Sequence, residues 1–300
     1  TYYQYRHKLF KDVLIMSNEI LQKVEELTKD GRVDAPSWTP RPASTRFTDI
    51  SDIEGMRVAG KLAADVLVML EKFVVPGVST EQIDIIAHNY IIKEQGAIPA
   101  PLNYHGFPKS CCTSVNDVIC HGIPNDKALK KGDTVNIDIT IIKDGYYGDT
   151  SRMFFAGPAL PHAERLAKVT QECLYLAIDL VKPGIRLGDI GAAISAHAHK
   201  NHCSVVEEYC GHGVGTTFHG EPQVAHYGVA GTGVMLEEGM TLTIEPMINA
   251  GKKQVKHTGP DNWIAKTKDG RLSAQYEHTL LVTADGVEVL TRRPEETRFS

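Results

Sequence analysis

The chain has 300 residues, 42% of them apolar and 23% charged, and its 32 basic and 37 acidic side chains leave a net charge of −5. That balance excludes a disordered or fibrous chain, and with no long basic block it gives no specific grip on nucleic acid. No apolar run approaches the roughly 18 residues of a membrane span, no secretory pattern opens the chain, and its six cysteines form no C-x-x-C pair, so we expect a cytoplasmic protein with reduced thiols and no membrane partner.

Between residues 9 and 28, Phe10, Val13, Leu14, Ile20, Leu21, Val24 and Leu27 recur close to helical spacing, which predicts an amphipathic helix ending near Lys29-Asp30-Gly31. Pro36, Pro40 and Pro42 follow, and their missing backbone donors favour an extended segment. Residues 1–47 read as an N-terminal helix and Pro-rich arm, and 48–300 as the domain that carries the chemistry. The arm reads as a strap packed over that domain in preference to a dock for the ribosome or another partner.

Past the arm the chain repeats itself. Pro76-Gly77-Val78 and Pro183-Gly184-Ile185 stand 107 residues apart, with helical patterns before (56–74; 163–181) and after (80–94; 187–201) each Pro-Gly. The same separation carries Gly132 onto Gly239 and the alternating run at 134–139 onto that at 241–246, which brings Asp138 into register with Glu245. We therefore expect an α+β fold of two pseudo-symmetric halves, each built from helix, helix and antiparallel strands.

Polar residues embedded in the apolar strands carry the chemistry. Asp138 lies between isoleucines in a run where an unpaired carboxylate would be costly to bury. Asp149 follows after Lys143-Asp144-Gly145, a good hairpin turn, so two paired strands can bring both aspartates together. Glu245 and Glu277 are again acids inside strand-like apolar runs, and four like charges brought together call for a cation. His212 in Cys-Gly-His-Gly, His219 in Phe-His-Gly and His121 in Cys-His-Gly have adjacent glycines that allow close backbone approach. His88, His197 and His199 lie in helical stretches and read as surface or packing residues.

The order Asp138, Asp149, His212, Glu245, Glu277, with His121 and His219 alongside, resembles the methionine aminopeptidase pattern of the pita-bread fold over roughly residues 50–292. The short arm sets the chain apart from prolidase-like relatives with a large N-terminal domain, and the short interval between His219 and Glu245 favours type 1 over type 2. The resemblance implies two divalent ions (Co, Mn, Fe or Zn), with Asp138 a two-oxygen ligand to one, Asp149 and Glu277 bridging, and His212 and Glu245 completing the other. An oxygen-rich set with one imidazole suits such ions better than a structural zinc. It also implies a monovalent cation near Asn116, Val118 and Ser273.

By the same resemblance, His219 stabilises charge developing on the substrate carbonyl, His121 contacts the leaving amide nitrogen, and Glu245 takes a proton from the attacking water. Tyr104, Phe107, Cys112, Phe218 and Trp263 match the pocket for the first residue, where aromatic rings favour a thioether. Pro101 and Asn103 stand where many simple bacterial members have Cys and Gly. The implied substrates are nascent polypeptide N-termini bearing methionine before a small second residue. The competing readings are an X-Pro aminopeptidase or dipeptidase and a non-catalytic peptide-binding module on the same fold.

Overall fold

The computed structural model describes residues 2–299. Helix α1 (Tyr2–Thr28) is longer than its apolar periodicity predicts. Among its described side chains, packing is confined to the C-terminal end: Val24 is buried, while Val13 and Leu14 are 56% and 54% exposed. The side chain of Phe10, part of the expected stripe, lies outside the described residues.

The first half comprises α2 (Ile50–Leu70), α3 (Thr80–Lys93) and the strands β1 (Ile98–Pro99), β2 (Cys112–Val115), β3 (Val118–Cys120), β4 (Thr134–Lys143) and β5 (Tyr146–Phe155). Ser79 and Gln82 form a reciprocal capping box that fixes the start of α3, at 3.0 and 3.1 Å. Strands β4 and β5 pair antiparallel along their full length, with β2 and β1 also on β4. Alternation then sorts the strand: Val135, Ile137, Ile139 and Ile141 enter the core with α2 and α3, so Asp138 and Thr140 must face the other side.

The second half repeats this plan with α4 (Pro161–Leu180) and α5 (Leu187–Lys200) over a second core that includes Leu174, Ile190, Leu242 and Leu280. Its strands are β6 (Ser204–Val205), β7 (Gly211–Gly213), β8 (Gly220–Val224), β9 (Thr241–Ile244), β10 (Met247–Asn249), β11 (Val255–Thr258), β12 (Ile264–Thr267), β13 (Ser273–Gln275), β14 (His278–Val282) and β15 (Val287–Val289). The principal sheet runs β15-β14-β9-β7-β8, with smaller sheets β13-β10-β6 and β11-β12-β3.

The duplication is visible bond by bond. Helices α3 and α5 begin at Thr80 and Leu187 and end at Lys93 and Lys200, 107 residues apart at both ends. Gly77 and Gly184 both adopt the left-handed backbone open to glycine, with φ 95° and 91°. Their amides donate to Leu129 and Leu236 carbonyls, both at 2.9 Å, which closes the same turn twice. The halves differ at Pro246, which lacks an amide hydrogen. The run equivalent to the continuous β4 breaks there into β9 and β10, which lie in different sheets. Glu245 therefore sits at a strand break, and Glu277 sits at another, between β13 and β14, and not inside strands as their apolar surroundings suggest.

The segment after α1 crosses both halves as a strap. Trp38 meets Tyr147 edge-on at 6.1 Å, Arg41 lies over the Tyr146 ring at 4.5 Å, and Thr45 Oγ1 donates to the Glu221 carbonyl at 2.7 Å. At the other end of the chain, buried Glu296 accepts from His278 Nε2 at 2.7 Å and from Tyr175 at 2.8 Å, with Arg293 at 3.2 Å. Burial alone would raise the Glu296 carboxyl, but the His278 hydrogen bond and the Arg293 charge outweigh it and bring it down to about 2. A carboxyl depressed on folding adds stability above its unfolded value, and that stability is lost as pH falls toward the folded one. Glu296→Gln is thus expected to cost about 2 kcal/mol at neutral pH, with the gap from wild type closing below about pH 4. Urea melts of both proteins across that range check it.

Candidate metal centre

The β4–β5 hairpin turns through Asp144 and Gly145, both with left-handed backbone (φ 52° and 86°), the turn that matches strand twist. Register sets Asp138 opposite Ser151 and Asp149 opposite Thr140, so the two aspartates are diagonal neighbours on one face. Thr140 Oγ1 donates to Asp149 Oδ1 at 2.7 Å. Across the seam between halves, Ser151 pairs with Glu277 through backbone bonds of 3.1 and 3.3 Å, and Thr279 Oγ1 donates to the Asp149 carbonyl at 2.7 Å. These bonds bring the carboxylate of the second half beside those of the first.

Glu245 is held from three sides. Thr243 Oγ1 donates to Oε1 at 2.8 Å, Gln275 Nε2 donates to Oε2 at 3.1 Å, and the Glu245 amide donates to His226 Nε2 at 3.0 Å. His212 donates from Nδ1 to the Gly213 carbonyl at 3.0 Å, which leaves Nε2 facing Asp149 Oδ2 and Glu245 Oε1, each at 3.4 Å. Ligand atoms of Asp149, His212 and Glu277 all lie within 4.8 Å of one another.

The electrostatics of this cluster fit a divalent cation. Asp138 Oδ1 and Glu277 Oε2 are buried without a hydrogen-bond partner among the described residues. Burial first, then the neighbouring Asp149 and Glu245, push Asp138 well above the usual carboxylate range, and burial with the same neighbours does so to Glu277. Glu245 rises to about 7, chiefly through burial. Asp138 and Glu245 keep some accessible surface, where they line the cavity of the site. Burial disfavours charge on His212, yet Asp149 and Glu245 outweigh it and lift the ring to about 9. A carboxylate-rich, partly orphaned donor set with one imidazole is what hard or borderline divalent ions take.

Acids raised on folding bind more protons folded than unfolded, so without a cation they favour the fold at low pH and oppose it as pH rises. Chelator-treated protein is therefore expected to melt several degrees lower at about pH 8 than at about pH 5.5, and added Mn(II) to restore most of the loss. Thermal melts with and without the ion give the answer.

His121 follows β3 with φ 56° and stands edge-on to Tyr209 and Trp263, ring centroids 5.1 and 5.9 Å away. His219 precedes β8, its Nδ1 2.8 Å from the Tyr104 hydroxyl and its ring 4.3 Å from that of His212. Burial lowers both to about 4, aided at His219 by the His212 charge. His219 is exposed at the cavity mouth, which weakens the burial effect there, but both rings are neutral near pH 7 and carry one N–H donor each.

Asp138, Asp149, His212, Glu245, Glu277, His121 and His219 all border one cavity of about 250 Å³, and so do Tyr104, Phe107, Cys112, Phe218 and Trp263. Phe107 meets Trp263 edge-on at 5.3 Å, and Tyr104 lies 4.6 Å from Phe218. At the suggested monovalent-ion position, the Ser273 amide donates to the Asn116 carbonyl at 3.1 Å, and Val118 opens β3 close by in sequence. Sequence reasoning missed Thr140, Thr243, Gln275 and His226. Thr140 lies two residues from Asp138 on the same face of β4, and Thr243 two residues before Glu245, a signal that alternation could have exposed. His226, buried with no motif around it, carries no such signal.

A sequence profile of metallopeptidase family M24 matches residues 54–284. A methionine aminopeptidase of Escherichia coli strain K12 is 59% identical over 247 residues, 82% of this chain and 93% of the relative. One from Haemophilus influenzae is 56% identical, covering 82% and 92%. The crystal structure of methionine aminopeptidase from Rickettsia prowazekii superposes with a TM-score of 0.81 at 50% identity, over 83% of this chain and all of the other. Prolidase from Pyrococcus furiosus, 19% identical with a TM-score of 0.63, covers 83% of this chain and 66% of its own and shares the fold alone. The chain belongs to metallopeptidase family M24 and, within it, to the methionine aminopeptidases.

Proposed function

We propose that the protein hydrolyses the first peptide bond of nascent polypeptides that begin with methionine, favouring a small second residue. The observation that carries this reading is a buried cluster of four carboxylates and one imidazole at the base of an aromatic-lined cavity. Asp138, Asp149, His212, Glu245 and Glu277 would hold two divalent ions (Co, Mn, Fe or Zn). When bound, such a pair lowers the pKa of a water at the site and polarises the scissile carbonyl.

The chain's own groups do the rest. Thr243 and Gln275 fix both oxygens of Glu245, which is poised to accept a proton at its carboxylate. His219, oriented through Nδ1 by Tyr104, donates from Nε2 to the carbonyl oxygen as charge builds there. His121, neutral and fixed beside Tyr209 and Trp263, donates to the departing amide nitrogen. Tyr104, Phe107, Cys112, Phe218 and Trp263 wall the space for the methionine side chain and exclude water from it. The backbone near Asn116, Val118 and Ser273 would take a monovalent cation.

Residues 1–47 serve as an arm appended to the catalytic domain at 48–300, the ribosome is a candidate partner, and the cytoplasm is the proposed compartment. No helix among the described residues is long and apolar enough to cross a membrane. The test compares Met-Ala-Ser with Xaa-Pro peptides at saturating Mn(II) or Co(II). The reading expects turnover of the first at least about a hundredfold above the second, about 2.7 kcal/mol of discrimination. Preference for the proline series assigns the chain to the other branch of the fold, and no hydrolysis of either makes it a binding module.

A further inference from the structure

The arm touches the first-residue pocket through a relay that begins at Arg32, outside the residues 54–284 that the family profile matches. Arg32 Nε and Nη2 both donate to Asp84 Oδ2, at 2.9 and 2.5 Å, and Nη1 pairs with Glu81 at 2.8 Å. Asp84 and Glu81 lie on α3, and each then reaches the segment at 104–112. Asp84 Oδ1 accepts the amides of Ser110 and Cys111 at 2.8 and 2.9 Å and the Cys111 thiol at 3.3 Å. Glu81 pairs with Lys109 at 2.7 Å.

A second strand of the relay runs in parallel. A carbonyl can only accept, so His88 donates from Nε2 to the Val33 carbonyl at 2.7 Å and accepts at Nδ1 from the Ser110 hydroxyl at 2.6 Å. Asp84, His88, Ser110 and Cys111 are all at most 1% exposed, so the arm and the loop meet through dry, directional bonds. The same loop carries Tyr104 onto His219, Phe107 against Trp263, and Cys112 opposite Asp138.

We propose that Arg32 is a positioning residue for the methionine pocket: the arm latches the pocket wall at residues 104–112 through Asp84, Glu81 and His88. This rests on the reading of that wall as the first-residue pocket. Arg32 is the cation that meets the buried Asp84 carboxylate. Removing it leaves that buried carboxylate without its ion-pair partner, so it draws in water, and its hold on the Ser110 and Cys111 amides weakens. Side chains that close a pocket lose precision when the shell behind them loosens, even far from the reacting atoms.

The test uses the full chain with Arg32→Ala and Arg32→Lys, changes at a partly exposed side chain. Hydrogen exchange on peptides spanning 107–112 reads the latch directly and needs no activity. Arg32→Ala should speed exchange there by about tenfold while peptides of α4 and α5 stay unchanged. In steady state, KM for methionyl tripeptides should rise about tenfold with kcat within about twofold, and selectivity for methionyl over norvalyl peptides should narrow. Arg32→Lys, which keeps the charge but not the fork, should fall between. Unchanged exchange at 107–112, or a loss confined to kcat or melting temperature, overturns the proposal. A wild-type chain that cleaves no methionyl peptide would reject the functional reading instead, and exchange would still decide the latch.

Discussion

Asp138→Asn is expected to lower turnover of methionyl peptides by about a thousandfold or more, some 4 kcal/mol of transition-state stabilisation, while leaving the fold intact. The carboxylate sits on the site face of β4, with one oxygen buried and unpartnered and its proton affinity raised by burial and by Asp149 and Glu245. A group so placed contributes charge to a cation and little to the fold. The amide keeps its volume, so the chelated variant should melt at or above the chelated wild type near neutral pH, where the buried carboxylate is a liability. Activity within about tenfold of wild type, with bound metal, would remove Asp138 from the ligand set.

His219→Ala comes second in size, at about ten- to a thousandfold in kcat with a smaller change in KM, the scale of one lost transition-state donor. The ring is neutral, and with Nδ1 accepting from the Tyr104 hydroxyl its proton sits on Nε2, free to be donated. Its exposed place at the cavity mouth makes truncation cheap for the fold. An effect on KM alone would give His219 a binding role without a part in the transition state. Both variants are read from single-peptide kinetics at matched metal occupancy.

The fold was legible because the gene carries two copies of one plan. A single separation aligned two Pro-Gly turns, two glycines before strands and two carboxylates, and in three dimensions it aligns α3 with α5 at both ends. Apolar alternation around Asp138 told which residues enter the core and, by exclusion, which face the site. Alternation could not show where strands stop. Glu245 and Glu277 look like strand interiors because their neighbours are apolar on both sides, yet the missing amide of Pro246 divides β9 from β10 beside Glu245, and Glu277 falls where the chain passes from β13 to β14, which lie in different sheets.

The reach of the N-terminal helix was illegible for a similar reason. Its stripe from Phe10 to Leu27 is continuous in sequence, whereas among the described side chains the domain offers a surface to the last turns, around Val24, and leaves Val13 and Leu14 exposed. The supporting bonds were hidden too. His226 and Gln275 hold Glu245 through contacts that join residues distant in the chain, and nothing in local composition marks either as a neighbour of the site. The relay from Arg32 to Ser110 joins segments 78 positions apart and arises only once α3 lies between them.

The most direct test of the central claim is to count and locate bound ions. Crystals of chelated protein soaked in Mn(II), with anomalous maps at the manganese edge, should show two ions among Asp138, Asp149, His212, Glu245 and Glu277. Those five side chains binding no ion in a protein that still releases methionine would contradict the account.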